Sequence, residues 1–163
     1  MGRYRFYTPA SHVEEQDRSL WDAMQAAEGA ALLRDALRLH SPGPYQLQAA
    51  IAAVHAEAPQ ATDTDWPQIV ALYRELMRIN PSAVVRVNYA VAVALAGGID
   101  RGLTLIDEIG VGGVLDSYYL FHAARADLLR RLERLDDAAS AYRRALTLVT
   151  NDVERAYLRK RLQ

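Results

Sequence analysis

The stretch ADLLRRLERLDDAASAYRRA, residues 126–145, decides the fold. Within it Ala126, Ala138, Tyr142 and Ala145 follow one another at intervals of 12, 4 and 3 residues. This small, small, aromatic, small spacing lets two antiparallel helices touch backbone to backbone across a short turn. Ala90, Gly102, Ile106 and Ile109 repeat the spacing, each displaced by 36 residues. A period in this range marks a stack of helical hairpins, none of which buries its apolar face without the next. Such stacks usually bind other proteins and perform no chemistry, so the period predicts a binding module and not an enzyme.

Outward from that stretch, helices account for nearly everything. A long helix is predicted over residues 14–39, with Leu20, Met24, Ala27 and Ala31 on one face. Ser41-Pro42-Gly43-Pro44 ends it, and Tyr45–Glu57 is alanine-rich and helical. A loop around Pro59 leads to Asp65, which caps the next helix, with Gln68 completing a capping-box pattern and Pro67 in the first turn. That helix stops at Asn80-Pro81. Further helices are expected over Ala83–Ala96, Asp100–Ile109, from Asp116 or Ser117 to Leu132, from Asp136 to Val149, and from Asn151 or Asp152 to Leu162. Gly97-Gly98 and Gly110–Gly113 separate them. The expectation is an all-α chain of about eight helices, with residues 1–13 a tail or edge segment and 14–163 a single domain.

Composition narrows the class. Apolar residues make up 51% of the 163 but aromatics only 8%, so alanine, leucine and valine fill the interior of closely packed helices. No run is long and apolar enough for a membrane span, and the N-terminal residues lack the apolar region of a signal peptide. There is no cysteine, which removes disulfides and thiolate sites; a cytoplasmic protein is the simplest expectation. Net charge is −1, split unevenly: residues 1–117 carry 9 basic and 14 acidic side chains, residues 118–163 carry 10 and 6. The basic end could attract an acidic partner surface, although its arginines alternate with acids as on a solvated helix face.

The spacing resembles the tetratricopeptide repeat, whose hairpins stack as a right-handed superhelix. In that family a proline stops the second helix; here Thr150 stands at that position in the last unit. The wording of the chain is more specific. EQDRSLWD (15–22), GPYQLQAAIAAVHAEAP (43–59), TDTDWPQIVALY (62–73), VNYAVAVA (87–94), YYLFHAARADLLRRL (118–132) and AASAYRRALTL (138–148) resemble one particular protein group. It is the tetratricopeptide-like C-terminal extension of extracytoplasmic-function (ECF) sigma factors. Together these segments span roughly residues 15–162. The resemblance implies a regulatory domain that contacts its own sigma regions, core RNA polymerase, or a small YCII-related protein, and so controls transcription initiation. Neither sigma region is recognisable in this chain, and no basic recognition helix is present. Direct DNA binding by this segment is therefore not expected. The chain reads as an excised domain of such a factor or as a free-standing relative.

No catalytic constellation emerges. His55 and Glu57 point to different helix faces, and His12, His40, His55 and His122 lack ligand spacing, so neither metal nor cofactor is expected. Gly110-Val111-Gly112-Gly113 has no preceding strand and no following Lys-Ser/Thr, so it reads as an interhelix turn and not a phosphate loop. The candidate partner-binding residues are polar groups on the first helix of each hairpin, which lines the concave groove in tetratricopeptide proteins. Asn88, Asp127, Arg130 and Arg131 take groove positions in the repeat frame. Asn88 would either hold a partner's backbone with its amide or bond between helices. Tyr45, Gln46, Gln48, His55, His122 and Arg125 fall in the family-like segments, as either a partner site or a buried polar network. Trp21 and Trp66 are expected in the core or at hairpin junctions.

Overall fold

The computed structural model describes Asp22, Met24, Glu28, Gly29, Ala31 and residues 42–162. Seven α-helices follow one another in the continuous part: α1 (Pro44–Glu57), α2 (Trp66–Ile79), α3 (Ala83–Leu95), α4 (Ile99–Gly110), α5 (Tyr119–Arg131), α6 (Leu135–Leu148) and α7 (Asp152–Arg161). A 3-10 turn, Ala61–Asp63, lies between α1 and α2. The fold is all-α and built of helical hairpins: α1 packs on α2, α3 on α4 and α5 on α6, and each hairpin packs on the next. Met24, Glu28, Gly29 and Ala31 are helical. The rest of the helix expected over 14–39, the segment 1–13, and the residues His12, Trp21 and His40 lie outside the described residues. Met24 and Ala31, expected to share one helix face, are both exposed, Met24 at 83%. Helical spacing shows which residues share a face; it does not say what covers that face.

The helix starts follow local chemistry. Gln46 Oε1 accepts a bond from the Gly43 backbone N–H at 3.1 Å, and Pro44 sits where its missing N–H costs nothing. Asp65 Oδ1 accepts from the Gln68 N–H at 2.9 Å, Ser82 Oγ from the Val85 N–H at 3.3 Å, and Asn151 Oδ1 from the Val153 N–H at 2.8 Å. The start of α5 differs from expectation. It begins at Tyr119 with Tyr118 as N-cap and no side-chain cap, while Asp116 and Ser117 stay in the preceding turn. The reason is tertiary. Leu115 is buried, and the Asp116 carbonyl faces His122 Nε2 at 3.0 Å and Arg144 Nη2 at 3.2 Å, which hold it away from the helix axis. The His122 bond requires the ring proton on Nε2.

The 36-residue period reappears in the turns. After α3, the Gly98 N–H donates to the Val93 carbonyl and the Gly97 N–H to the Ala94 carbonyl, both at 3.1 Å, with Gly97 at φ +103°. After α5, the Arg134 N–H donates to the Leu129 carbonyl and the Glu133 N–H to the Arg130 carbonyl, both at 3.0 Å, with Glu133 at φ +60°. Both are Schellman closures, so the α3–α4 and α5–α6 hairpins each reverse through a left-handed residue at the same place in the repeat.

Among the described residues two clusters form the core, and α3 lies between them. Val85 and Ala92 join Leu47, Ile51, Val54, Trp66, Ile69 and Leu76 on one side. Val87, Ala90, Val91 and Ala94 join the α4–α7 cluster on the other, which includes Ile106, Phe121, Leu128, Leu129, Tyr142 and Leu158. The small residues singled out by spacing mark the closest approaches. Ala90, Ala126 and Ala145 have no exposed surface, and Gly102 lies against Ala90 and Ala94.

Candidate protein-binding surface

The first helices of the three hairpins, α1, α3 and α5, hold all ten candidate residues, but in different situations. On α1, Leu47, Ala50, Ile51 and Val54 turn inward at helical spacing. That leaves Tyr45, Gln48 and Ala49 outward, with Tyr45 83% exposed. Between Pro44 and Ala56 this helix carries no acidic residue, lysine or arginine, so its outward side is apolar and amide-bearing. Gln46 is engaged in the N-terminal cap. His55 is half-buried and meets Trp66 edge-on, with ring centroids 5.1 Å apart. Trp66 is itself core.

On α3, Asn88 is half-buried, and among the described residues its amide makes no hydrogen bond. It retains a free donor and a free acceptor that a partner's backbone can satisfy. Its neighbour Tyr89 is tied to α2, its hydroxyl accepting from Arg74 Nε at 3.5 Å.

On α5 the candidates are mutually engaged. Asp127 is 4% exposed; Arg130 Nη2 donates to its Oδ1 at 3.0 Å and Arg131 Nε to its Oδ2 at 3.1 Å. The Tyr142 hydroxyl from α6 adds a 3.4 Å contact to Oδ1. A carboxylate with both oxygens occupied in the interior joins α5 to α6 and has no surface to offer a partner. Burial first, then the Asp127 charge, pushes the Tyr142 hydroxyl up to about 12. Tyr157 on α7 is pushed up for the same reasons in the same order, and its ring packs against the apolar cluster that includes Tyr142. For Arg130, burial opposes the guanidinium charge, but the bond to Asp127 and its charge outweigh that, and the pKa rises. Arg125 Nε pairs with Asp107 of α4 at 2.7 Å, and His122 secures the α4–α5 loop.

The structure therefore separates the candidates. Tyr45, Gln48 and Asn88 keep polar or apolar surface for an external contact. Gln46, His122, Arg125, Asp127, Arg130 and Arg131 hold helix ends, loops and hairpins in place. Sequence reasoning missed Asp107, Arg144 and Tyr157 as their counterparts. Only Tyr157 carried a visible signal, as the one aromatic in an otherwise highly charged helix. No group of three His, Asp or Glu converges as metal ligands among the described residues. No described helix is long and apolar enough to cross a membrane. The surface open to external contact is the exposed amide of Gln48, the half-buried amide of Asn88 and the uncharged outward side of α1.

Over 150 residues the chain is 43% identical to an uncharacterized protein of Rhizobium meliloti (strain 1021), a match covering 92% of this chain and 35% of that protein. The chain thus spans about a third of the length of the curated relative it matches. No protein-family model matches the chain. No solved structure matches it either.

Proposed function

We propose that this chain is a regulatory protein-interaction domain of an ECF-type sigma factor. It controls transcription initiation through contacts with the sigma regions, core RNA polymerase or an accessory protein such as a small YCII-related partner. The observation that carries this reading is the outward side of α1. It belongs to the longest family-like segment, 43–59, yet Tyr45, Gln48 and Ala49 are exposed and no charge interrupts them. An uncharged helix face of this kind suits contact with protein rather than with a phosphate backbone. The match to a third of a longer relative supports a domain that works within a larger protein. In this reading the domain acts in the cytoplasm and contributes no catalytic group, cofactor or base-reading element.

Mechanistically, the domain biases the sigma regions between competent and masked arrangements through contacts that differ between the two. The test begins with the native gene upstream of the codon for Arg3. An open frame encoding two sigma regions is expected, and deletion of the domain from that protein should change promoter-dependent transcription. Unchanged transcription removes the reading. The free amide of Asn88 favours one alternative, a free-standing adaptor that holds an extended peptide in its groove. A genuine start codon with its own ribosome-binding site would select it.

A further inference from the structure

α1 is less covered than its counterparts. Among the described residues α2 packs on α3 and α4 on α5, so each of those first helices has a preceding helix against it. Arg86 is the one exposed residue on α3 and α5 together, whereas α1 exposes Tyr45, Gln48, Ala49 and Glu57. Tyr45, Ala49, Ala52 and Ala56 follow one another at intervals of 4, 3 and 4 residues. The side they share lies opposite the buried Leu47, Ala50, Ile51 and Val54. Alternating intervals of three and four give the seam along which a second helix packs.

The chain that leads into α1 carries the mirror image of this spacing. Counting back from Ser41, Leu37, Leu33, Ala30 and Ala26 stand at 4, 8, 11 and 15 residues. Counting forward, Tyr45, Ala49, Ala52 and Ala56 stand at the same 4, 8, 11 and 15. Two helices that reverse at Ser41 therefore bring Leu37 to Tyr45, Leu33 to Ala49, Ala30 to Ala52 and Ala26 to Ala56. The pairs shrink away from the turn, and none of the eight residues is charged, so the contact buries no ion. Ser41-Pro42-Gly43-Pro44 supplies the breakers for the reversal, and so short a connection makes its two helices antiparallel neighbours. Met24, Glu28 and Ala31, helical and exposed, fall on the other side of the helix expected over residues 14–39.

We infer that residues 26–37 are an internal occupant of the outward side of α1, docking on it across the turn at Ser41 and masking Tyr45. The structure holds the open arrangement, with Tyr45 83% exposed. The covalent tether keeps the occupant at high effective concentration, so an external protein reaches this side of α1 by displacing it. Partner binding is thereby coupled to release of the segment that leads into the domain. This regulatory consequence rests on the reading of α1 as the partner surface; the docking itself does not.

The chain has no cysteine, so a pair can be introduced without background. In the full chain carrying Ala30→Cys and Ala52→Cys, mild oxidation should close an intramolecular disulfide at least tenfold faster than in a chain carrying Glu28→Cys and Ala52→Cys. Non-reducing electrophoresis and mass spectrometry follow both. Equal rates, or no disulfide in either, overturn the inference, and a disulfide-linked dimer overturns it in favour of a second copy as the occupant. With the disulfide closed, Tyr45 should be nitrated by tetranitromethane at least tenfold more slowly than after reduction; unchanged labelling leaves α1 unmasked and overturns it as well. Should the cysteine variants lose their helical circular dichroism, hydrogen exchange of the parent chain decides. Amides of residues 26–37 exchanging at least tenfold more slowly than in the isolated 26–37 peptide support docking, and equal exchange overturns it. None of these outcomes bears on the sigma-factor reading, which fails on unchanged transcription when the domain is deleted.

Discussion

Gly102 is where the hairpin geometry meets its most direct test. A Cβ placed there lies 2.5 Å from the Ala94 Cβ, 2.7 Å from the Ala90 carbonyl oxygen and 3.1 Å from the Ala94 Cα. Two of the three obstacles are backbone, so no flexible side chain can swing aside. Ordinary carbon contact requires α4 to retreat from α3 by roughly 1 Å. α3 is wedged between both core clusters, so the retreat is felt on each side of it. Overpacking costs about 1–3 kcal/mol, and the contact with two backbone atoms puts this site in the upper part of that range, about 2–3 kcal/mol. Alanine recovers roughly 1 kcal/mol of helix propensity over glycine, which leaves a net loss of about 1–2 kcal/mol for Gly102→Ala. The thermal midpoint should fall by roughly 2–8 °C for a chain of this size. Gly29 is the matched control: it is helical and nothing lies within 4 Å of an added Cβ. Gly29→Ala carries only the propensity gain and should not lower the midpoint. Both are read by far-UV circular dichroism during heating and urea titration. A Gly102→Ala chain as stable as the parent would refute the close backbone approach.

Three further outcomes follow from other sites. Glu133 is the left-handed residue of the α5–α6 turn, where its counterpart after α3 is Gly97. Glu133→Gly relieves about 1–2 kcal/mol of left-handed strain and loses about 0.5–1 kcal/mol to chain entropy, so the thermal midpoint should rise by a few degrees; a fall contradicts the strain argument. The folded chain retains the Tyr142 proton up to about pH 12, whereas an unfolded tyrosine releases it from about pH 10. Stability in urea titrations should therefore be untouched by this group below pH 10 and decline from there through pH 12, and Tyr142→Phe should flatten the decline; an equally steep fall in the variant counts against it. Asn88→Ala should leave stability within about 0.5 kcal/mol of the parent while weakening capture of the partner, and a matched loss of both would make Asn88 a packing residue.

The hairpin repeat was legible because its cause is local. Close helix packing demands small residues at fixed intervals, and Ala90, Gly102, Ala126, Ala138 and Ala145 meet that demand in sequence order. Caps were legible for the same reason: Asp65 and Asn151 act on backbone donors only two or three residues away. The α5 start was not, because the Asp116 carbonyl is held by Arg144, 28 positions further along the chain. The candidate site divides along the same line. Helical register placed Asn88, Asp127, Arg130 and Arg131 on the first helices of their hairpins, and there they are.

Whether each faces outward depended on the next helix in space. The α5–α6 pairing closes over Asp127 through Tyr142, and α7 packs Tyr157 against the apolar cluster that holds Tyr142, whereas Asn88 keeps its amide unbonded. Helical periodicity repeats every few residues and is written in the chain. Burial arises when segments far apart in sequence meet, and electrostatic partners such as Asp107 and Arg125 become neighbours only then.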